Sequence, residues 1–205
     1  YGRQLNLESA IQSYQKALPI FRKANMPERT AVCLSNMGFI YYQMDKYEEA
    51  RESLVEAISI NESINNTIVL VNSYNNLGLV LVQLGDLKQA DQYFEKVLKL
   101  NKELKDNSNP EAFVETLIGK SQIYKAWGRP DEEKKYLDEA KKYSEKFNYL
   151  VLMKQTYLGL SDYYLRVGEY GKLQNTYDRF RIVDDSITRQ GRKNEASVIA
   201  SVINA

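Results

Sequence analysis

The chain has 205 residues, with 28 Lys and Arg against 27 Asp and Glu, no histidine, one cysteine, 4 prolines and 16 tyrosines. Without histidine, and with Cys33 alone, the usual zinc, copper and haem ligand sets cannot be assembled, a disulfide within the chain is impossible and imidazole-based triads are excluded, so neither metal nor cofactor is expected. A net charge of +1 lacks the clustered basic excess of a nucleic-acid binder, so no nucleic-acid partner is expected, and no run approaches the roughly 20 apolar residues of a membrane span.

With 43% apolar and 27% charged residues and few Gly and Pro, the composition is that of a helical chain with an ordinary core. Apolar residues at spacings of three and four predict helices over roughly 7–24, 28–44, 46–64, 67–84, 87–105, 111–127, 131–147, 150–167 and 170–189, and no strand signal competes. Asp45 with Glu48, and Asp86 with Gln89, have the spacing of a capping box at the start of a helix. Pro110 and Pro130 are each followed by acids and predict first helical positions. The opening Tyr1-Gly2-Arg3-Gln4 does not read as a signal peptide.

The chain repeats itself. Leu34-Ser35-Asn36-Met37-Gly38-Phe39-Ile40-Tyr41 aligns with Tyr74-Asn75-Asn76-Leu77-Gly78-Leu79-Val80-Leu81 at an offset of 40 residues. Ala50, Leu54 and Ala57 fall opposite Ala90, Phe94 and Val97 at the same offset, and opposite Ala10, Tyr14 and Ala17 in the other direction. Stepping from Gly85 by 43 residues to Gly128, and by 40 more to Gly168, brings Ser121, Leu137, Ala140 and then Ser161, Tyr177, Phe180 into register. Five units follow, over about 1–27, 28–66, 67–109, 110–148 and 149–190. Gly38, Gly78, Ser121 and Ser161 are small enough for a paired helix to approach closely, as are Ala10, Ala50 and Ala90. Glu133 and Leu173 replace that alanine in the last two units, which predicts looser helix pairs there. Tyr14, Tyr41, Tyr124, Tyr157, Tyr164 and Tyr177 take core positions.

This pattern resembles the tetratricopeptide repeat (TPR), although the period of 40 exceeds the family's usual 34 or so and the closing proline is missing. The resemblance implies an all-α, right-handed α-solenoid of about five helix-turn-helix units. Tyr1 stands at the eleventh position of a unit, so the first unit is expected to be truncated and the natural protein to continue upstream. Residues 191–205 fall outside the repeat, and Val198, Ile199, Val202 and Ile203 give them a short apolar stripe. That stripe suits a capping helix, a homodimer contact or the start of a linker.

Chemistry is hard to place on this chain. It has no Gly-rich phosphate loop, no Gly-x-Ser-x-Gly elbow and no Asp-rich metal loop. Glu48/Glu49, Asp131/Glu132/Glu133 and Asp184/Asp185 read as solvated faces or caps, and Cys33 as a small buried hydrophobe, so no catalysis is expected.

Binding fits better. In a stacked repeat the first helices of successive units line one face. The second unit offers Val32, Ser35, Asn36, Phe39, Tyr42 and Gln43 there, and the third Asn72, Asn75, Asn76, Leu79, Val82 and Gln83. Later units add Glu115, Ile118, Gln122 and Lys125, then Gln155, Leu158, Asp162 and Arg166. Amides that bond a peptide backbone, mixed with apolar side chains that bury its residues, predict a protein or peptide ligand. Asn36 and Asn76 share one repeat position, where the resemblance implies a bond to the ligand's main chain; the alternative is that each serves a neighbouring helix end or meets solvent. The chaperone-binding TPR clamp needs a Lys four residues earlier, and Val32 and Asn72 stand there instead.

The run Tyr177-x-x-Phe180-x-x-Val183-Asp184-Asp185-Ser186-Ile187 and the Asn-Asn-Leu-Gly phrasing resemble the TPR sensor regions of bacterial two-component histidine kinases and membrane-tethered regulators. That resemblance implies a periplasmic or otherwise extracytoplasmic input module, with a membrane tether outside this stretch. A soluble cytoplasmic TPR adaptor or an assembly scaffold is the rival expectation.

Overall fold

The computed structural model describes residues 2–104 and 109–203, with side-chain burial over 6–104 and 109–194. Among them the chain forms α1 (Gly2–Lys23), α2 (Pro27–Gln43), α3 (Tyr47–Ser63), α4 (Thr67–Gln83), α5 (Leu87–Leu104), α6 (Pro110–Ala126), α7 (Pro130–Phe147), α8 (Leu150–Val167) and α9 (Tyr170–Ile203), with no strand. The fold is the all-α helical repeat that the apolar spacing predicts. It divides into two compact units, 1–119 and 120–205, and the division falls inside α6.

The turns explain the regularity. Each described helix-to-helix turn places one residue in the left-handed region: Asn25, Asp45, Asn65, Gly85, Gly128, Asn148 and Gly168, with φ between 51° and 80°. The N–H of the following residue reaches back five positions to a carbonyl, at 2.9–3.0 Å in all seven turns, and closes the helix as a Schellman motif. Asn, Asp and Gly tolerate this conformation where other residues are strained. Asp45 is therefore the terminator of α2 and not the cap of α3; its carboxylate accepts the Tyr47 hydroxyl at 2.8 Å, and the capping position falls to Lys46, which makes no side-chain cap. At Asp86 the expected cap forms, with Asp86 Oδ1 accepting the Gln89 N–H at 3.1 Å. Pro110 and Pro130 open α6 and α7, and Asn109 Oδ1 accepts the N–H groups of Glu111 and Ala112 at 3.1 and 3.2 Å.

In the unit 1–119, α1 packs on α2 through Ile11, Cys33, Met37 and Ile40, with Tyr14, Leu18, Phe21 and Tyr41 against them. Further along, Ala50, Leu54, Ala57, Ala90, Phe94 and Val97 are fully buried. The tightest contacts are made by glycine. A Cβ on Gly38 would lie 2.5 Å from Leu54 Cγ, and one on Gly119 2.5 Å from Phe94 Cζ; one on Gly78 would also enter the Phe94 ring, 2.7 Å from Cδ1. Phe94 on α5 is thus clasped between bare backbone of α4 and of α6.

In the unit 120–205, Leu137, Tyr157, Leu160, Tyr163, Tyr164 and Val183 form the core, supported by Leu173, Phe180 and Ile187. Here too a glycine makes the close approach: a Cβ on Gly159 would lie 2.8 Å from Leu137 Cδ2. Ser121 and Ser161 are buried, but the later close approaches belong to Gly119 and Gly159, two residues before them. Glu133 is almost fully buried and takes Arg166 of α8 as its ion partner.

Two expectations are corrected in α9. Tyr177 is 50% exposed and stacks on Phe180, so it is not a core residue; Thr176 is buried beside it. The helix also runs unbroken through Gly191 to Ile203, beyond the end near 189 that the apolar spacing predicts. The side chains of the Val198, Ile199, Val202 and Ile203 stripe lie outside the described residues.

The clasp around Phe94 gives a stability test. Gly78→Leu should destabilise by about 1–3 kcal/mol through overpacking, despite a helix-propensity gain of about 1 kcal/mol. Phe94→Ala should cost about 3–5 kcal/mol through the cavity it leaves. Urea titrations of both variants check this, and a Gly78→Leu protein unfolding at the parental midpoint would contradict the packing.

Candidate functional site

Within the unit 1–119, the first helices of successive repeats present one face together. Residues at helical spacing, namely Val32, Ser35, Asn36 and Phe39 on α2, and Asn72, Asn75 and Asn76 on α4, line a groove of about 280 Å³. Asn109, Glu111, Ala112 and Glu115 at the start of α6 close its other side.

Its walls are stitched by side-chain rungs. Ser35 Oγ and Ser73 Oγ stand 2.8 Å apart, joining α2 to α4. Asn75, only 1% exposed, donates from Nδ2 to Glu115 Oε2 at 2.6 Å and accepts from Thr116 Oγ1 at 2.9 Å. Asn109 Nδ2 donates to Asn72 Oδ1 at 2.7 Å. Ser35 and Asn75 thus spend their polar atoms on helix-to-helix bonds.

The two equivalent asparagines differ. Asn36 is half-buried and donates from Nδ2 to the Tyr14 hydroxyl at 3.0 Å, which leaves its carbonyl oxygen open. Asn76 is half-buried as well, and its whole amide has no partner among the described residues. Val32 and Phe39 flank them at 42% and 40% exposure. The groove therefore carries free amide edges between exposed apolar surfaces.

Electrostatics single out the α6 wall. Burial pushes the Glu115 carboxyl up to about 7, against the opposing pull of the Asn75 hydrogen bond and with help from the charge of Glu111. Neither carboxylate has a cationic partner among the described residues. Sequence reasoning read Asn109 and Glu111 only as a helix start, although Glu111, Ala112 and Glu115 have the spacing of one helix face.

The remaining expected positions fall elsewhere. Tyr42, Gln43 and Leu79 are half-buried and Gln83 is exposed, on the same helices but outside the groove lining. The Tyr42 ring lies 6.0 Å from that of Tyr47, and burial, then the charges of Glu115 and Asp45, raises its hydroxyl pKa. Gln122, Lys125, Asp162 and Arg166 belong to the unit 120–205. There Lys125 Nζ meets Asp162 Oδ2 at 2.8 Å, and Arg166 bridges Asp162, at 3.0 Å, and buried Glu133. Burial alone would raise the Asp162 carboxyl, but hydrogen bonds from Lys125 and Arg166 hold it below its ordinary value. Cys33 is buried with its thiol pushed up by desolvation, as befits a core residue and not a nucleophile. No group of three His, Cys, Asp or Glu side chains is placed to hold a metal, and no helix is long and apolar enough to cross a membrane, among the described residues.

Glu115 makes stability depend on pH in a predictable direction. Its ordinary value is 4.5, and in the fold it titrates near 7. Between these the folded chain keeps a proton that the unfolded chain releases, so stability is greatest at the acid end and falls as the pH rises through that window. No histidine competes there. Melting temperatures from about pH 5 to 8 should fall by a few degrees more in the parent than in Glu115→Gln, and parallel profiles would refute the assignment.

Comparison with known proteins places the fold. Type IV pilus assembly protein PilF of Pseudomonas aeruginosa is 37% identical over 102 residues, 50% of this chain and 36% of PilF. Regulatory protein RapD of Bacillus subtilis is 27% identical over 168 residues, 78% of this chain and 47% of RapD. The chain thus spans less than half the length of either relative. The crystal structure of Bacillus thuringiensis PlcR in complex with the peptide PapR7 and DNA superposes with a TM-score of 0.70 at 16% identity, over 94% of this chain and 68% of that one, a likeness of fold. Over residues 1–181 the sequence matches the family described as the MalT-like TPR region, and the chain belongs to that family.

Proposed function

We propose that this chain is a non-catalytic TPR module that binds an extended peptide or protein segment along the groove of α2, α4 and α6. The observation that carries the reading is the pair of half-buried amides, Asn36 and Asn76, flanked by exposed Phe39 and Val32. An extended chain offers an N–H and a C=O at every residue and alternating side chains between them. Free carboxamides answer the first and exposed apolar patches the second. The walls are fixed beforehand by the Ser35–Ser73, Asn75–Glu115 and Asn72–Asn109 rungs, so little order has to be created on binding. A relative described as a regulatory protein, RapD, and the fold shared with PlcR, seen in complex with a peptide and DNA, lend the reading support.

The same reading extends to the ligand-sensing input region of a bacterial signal-transduction protein, on the extracytoplasmic side of a membrane. Fractionation of the source cells with an antibody to this chain tests the location: recovery with the cytoplasmic proteins would favour the soluble adaptor.

Binding itself is tested by panning a random peptide display library against the purified chain and measuring the affinity of the selected peptides by fluorescence anisotropy. Asn36→Ala/Asn76→Ala should weaken them by about tenfold or more, the loss of one or two hydrogen bonds, with helicity and melting temperature nearly unchanged. Affinity indifferent to both substitutions would sink the groove as the binding site.

A further inference from the structure

A second hollow adjoins the groove. It has a volume of about 370 Å³ and lies between α1 and α2, walled by Tyr14, Phe21, Val32, Cys33 and Asn36, with Glu28 and Arg29 at its margin. Val32 and Asn36 line both hollows, so the two form one continuous surface within the unit 1–119. Their chemistry differs sharply. The α1–α2 hollow is aromatic and aliphatic, and its one cation, Arg29, is held against the Phe21 ring with Glu28 beside it in the chain. The groove carries amides and two carboxylates, Glu111 and Glu115, and no Lys or Arg lines it.

Elsewhere several half-buried or buried acidic side chains are met by a cation: Asp162 has Lys125 and Arg166, Asp184 has Lys154, and Glu133 has Arg166. Among the described residues Glu115 receives only the neutral Asn75 amide, and Glu111 lies one helical turn away on the same face, adding like charge. A carboxylate withdrawn from water and lacking a counter-ion is better satisfied when a cation arrives from outside.

Resting on the reading of the groove as a peptide site, we infer that its occupant is an extended peptide bearing a Lys or Arg side chain and a large apolar side chain. The cation meets Glu111 and Glu115, the backbone bonds Asn36 and Asn76, and the apolar side chain enters the hollow beside Tyr14 and Phe21. Val32 and Asn36, shared by both hollows, keep the two anchor points on one strand of ligand.

The test uses the peptide most strongly selected from an unbiased display library, its Lys/Arg→Gln analogue and its apolar→Ser analogue, with affinities measured at low salt. Selected sequences should combine a basic and a large apolar residue. Glu111→Gln/Glu115→Gln should weaken the parent peptide about tenfold while leaving the Gln analogue nearly unaffected, so that the two losses are coupled. Val32→Asp should likewise weaken the parent peptide and spare the Ser analogue. Glu111→Gln alone, at an exposed position, keeps the charge test valid if the double variant folds poorly. Selection of neutral or acidic peptides, or uncoupled losses, would overturn this inference while leaving the groove reading intact as long as Asn36 and Asn76 are still required. Peptide binding indifferent to the asparagines overturns both. A chain that takes no peptide but sediments as a dimer dissolved by Glu115→Gln would show that the occupant is a second copy, and the inference would fall.

Discussion

The arrangement of the groove depends on how closely helices approach Phe94. Its ring occupies space that a Cβ on either Gly78 or Gly119 would claim, so α4 and α6 come against α5 with nothing but backbone at the contact. Two helices pressed on one side chain are thereby set a fixed distance from each other. That distance is what allows Asn75 to reach Glu115 and Thr116, and Asn72 to reach Asn109. Packing in the interior and the geometry of the polar face are therefore one constraint, because close-packed interiors transmit a displacement and do not absorb it.

The same contact explains where the asparagine series stops. Asn36 and Asn76 share their repeat position with Gly119 and Gly159, which follow at offsets of 43 and 40 residues. At Asn36, Gly119 and Gly159 this position meets Tyr14, Phe94 and Leu137 on the second helix of the preceding repeat, and Leu54 is their equivalent in the remaining unit. Asn36 meets the hydroxyl of Tyr14. Leu54, the residue equivalent to Tyr14 in the next unit, carries no hydroxyl, and the Asn76 amide has no partner among the described residues. Against Phe94 and Leu137 a Cβ would press into the opposing side chain, and glycine avoids the contact. One repeat position thus passes from a satisfied amide to a free amide to bare backbone, according to the residue opposite.

Much of the fold was legible in the sequence because the periodic pattern is long and the turns are short. What was misread has definite causes. A three-residue turn places the terminator of one helix directly before the cap of the next, so Asp45 satisfies both patterns, and only its positive φ of 57° decides between them. Recurrence of Asn, Asp or Gly every 20 residues through Gly85 was the signal that could have settled it. In α9 the inward residues are Leu173, Thr176, Phe180, Val183 and Ile187, alternating steps of four and three. That is the narrow seam of a helix packed mainly on one neighbour, and it excludes Tyr177, which the wider stripe of a two-sided helix would have included. Of the groove, the α2 and α4 contributions were readable from spacing. Of its α6 wall only Glu115 was readable in this way; Asn109 and Glu111 were obscured, because with Pro110 they satisfy a helix-start pattern so well that no further role is suggested by sequence.

Charge distributes differently over the first-helix faces of the two units. In 120–205 the face closes upon itself: Lys125, Asp162, Arg166 and Glu133 form one chain of ion pairs. A ligand using any of those charges must first break a pair, and the gain is offset by the loss. In 1–119 the carboxylates of Glu111 and Glu115 have no such partner among the described residues, and Glu115 holds its proton near neutrality because burial penalises its charge. A cation placed beside it would relieve that penalty and draw the proton off, so the groove gains from a ligand charge what the other face already obtains internally. An unpaired, half-buried acid is a cost to the fold when the groove is empty and a source of selectivity when it is filled.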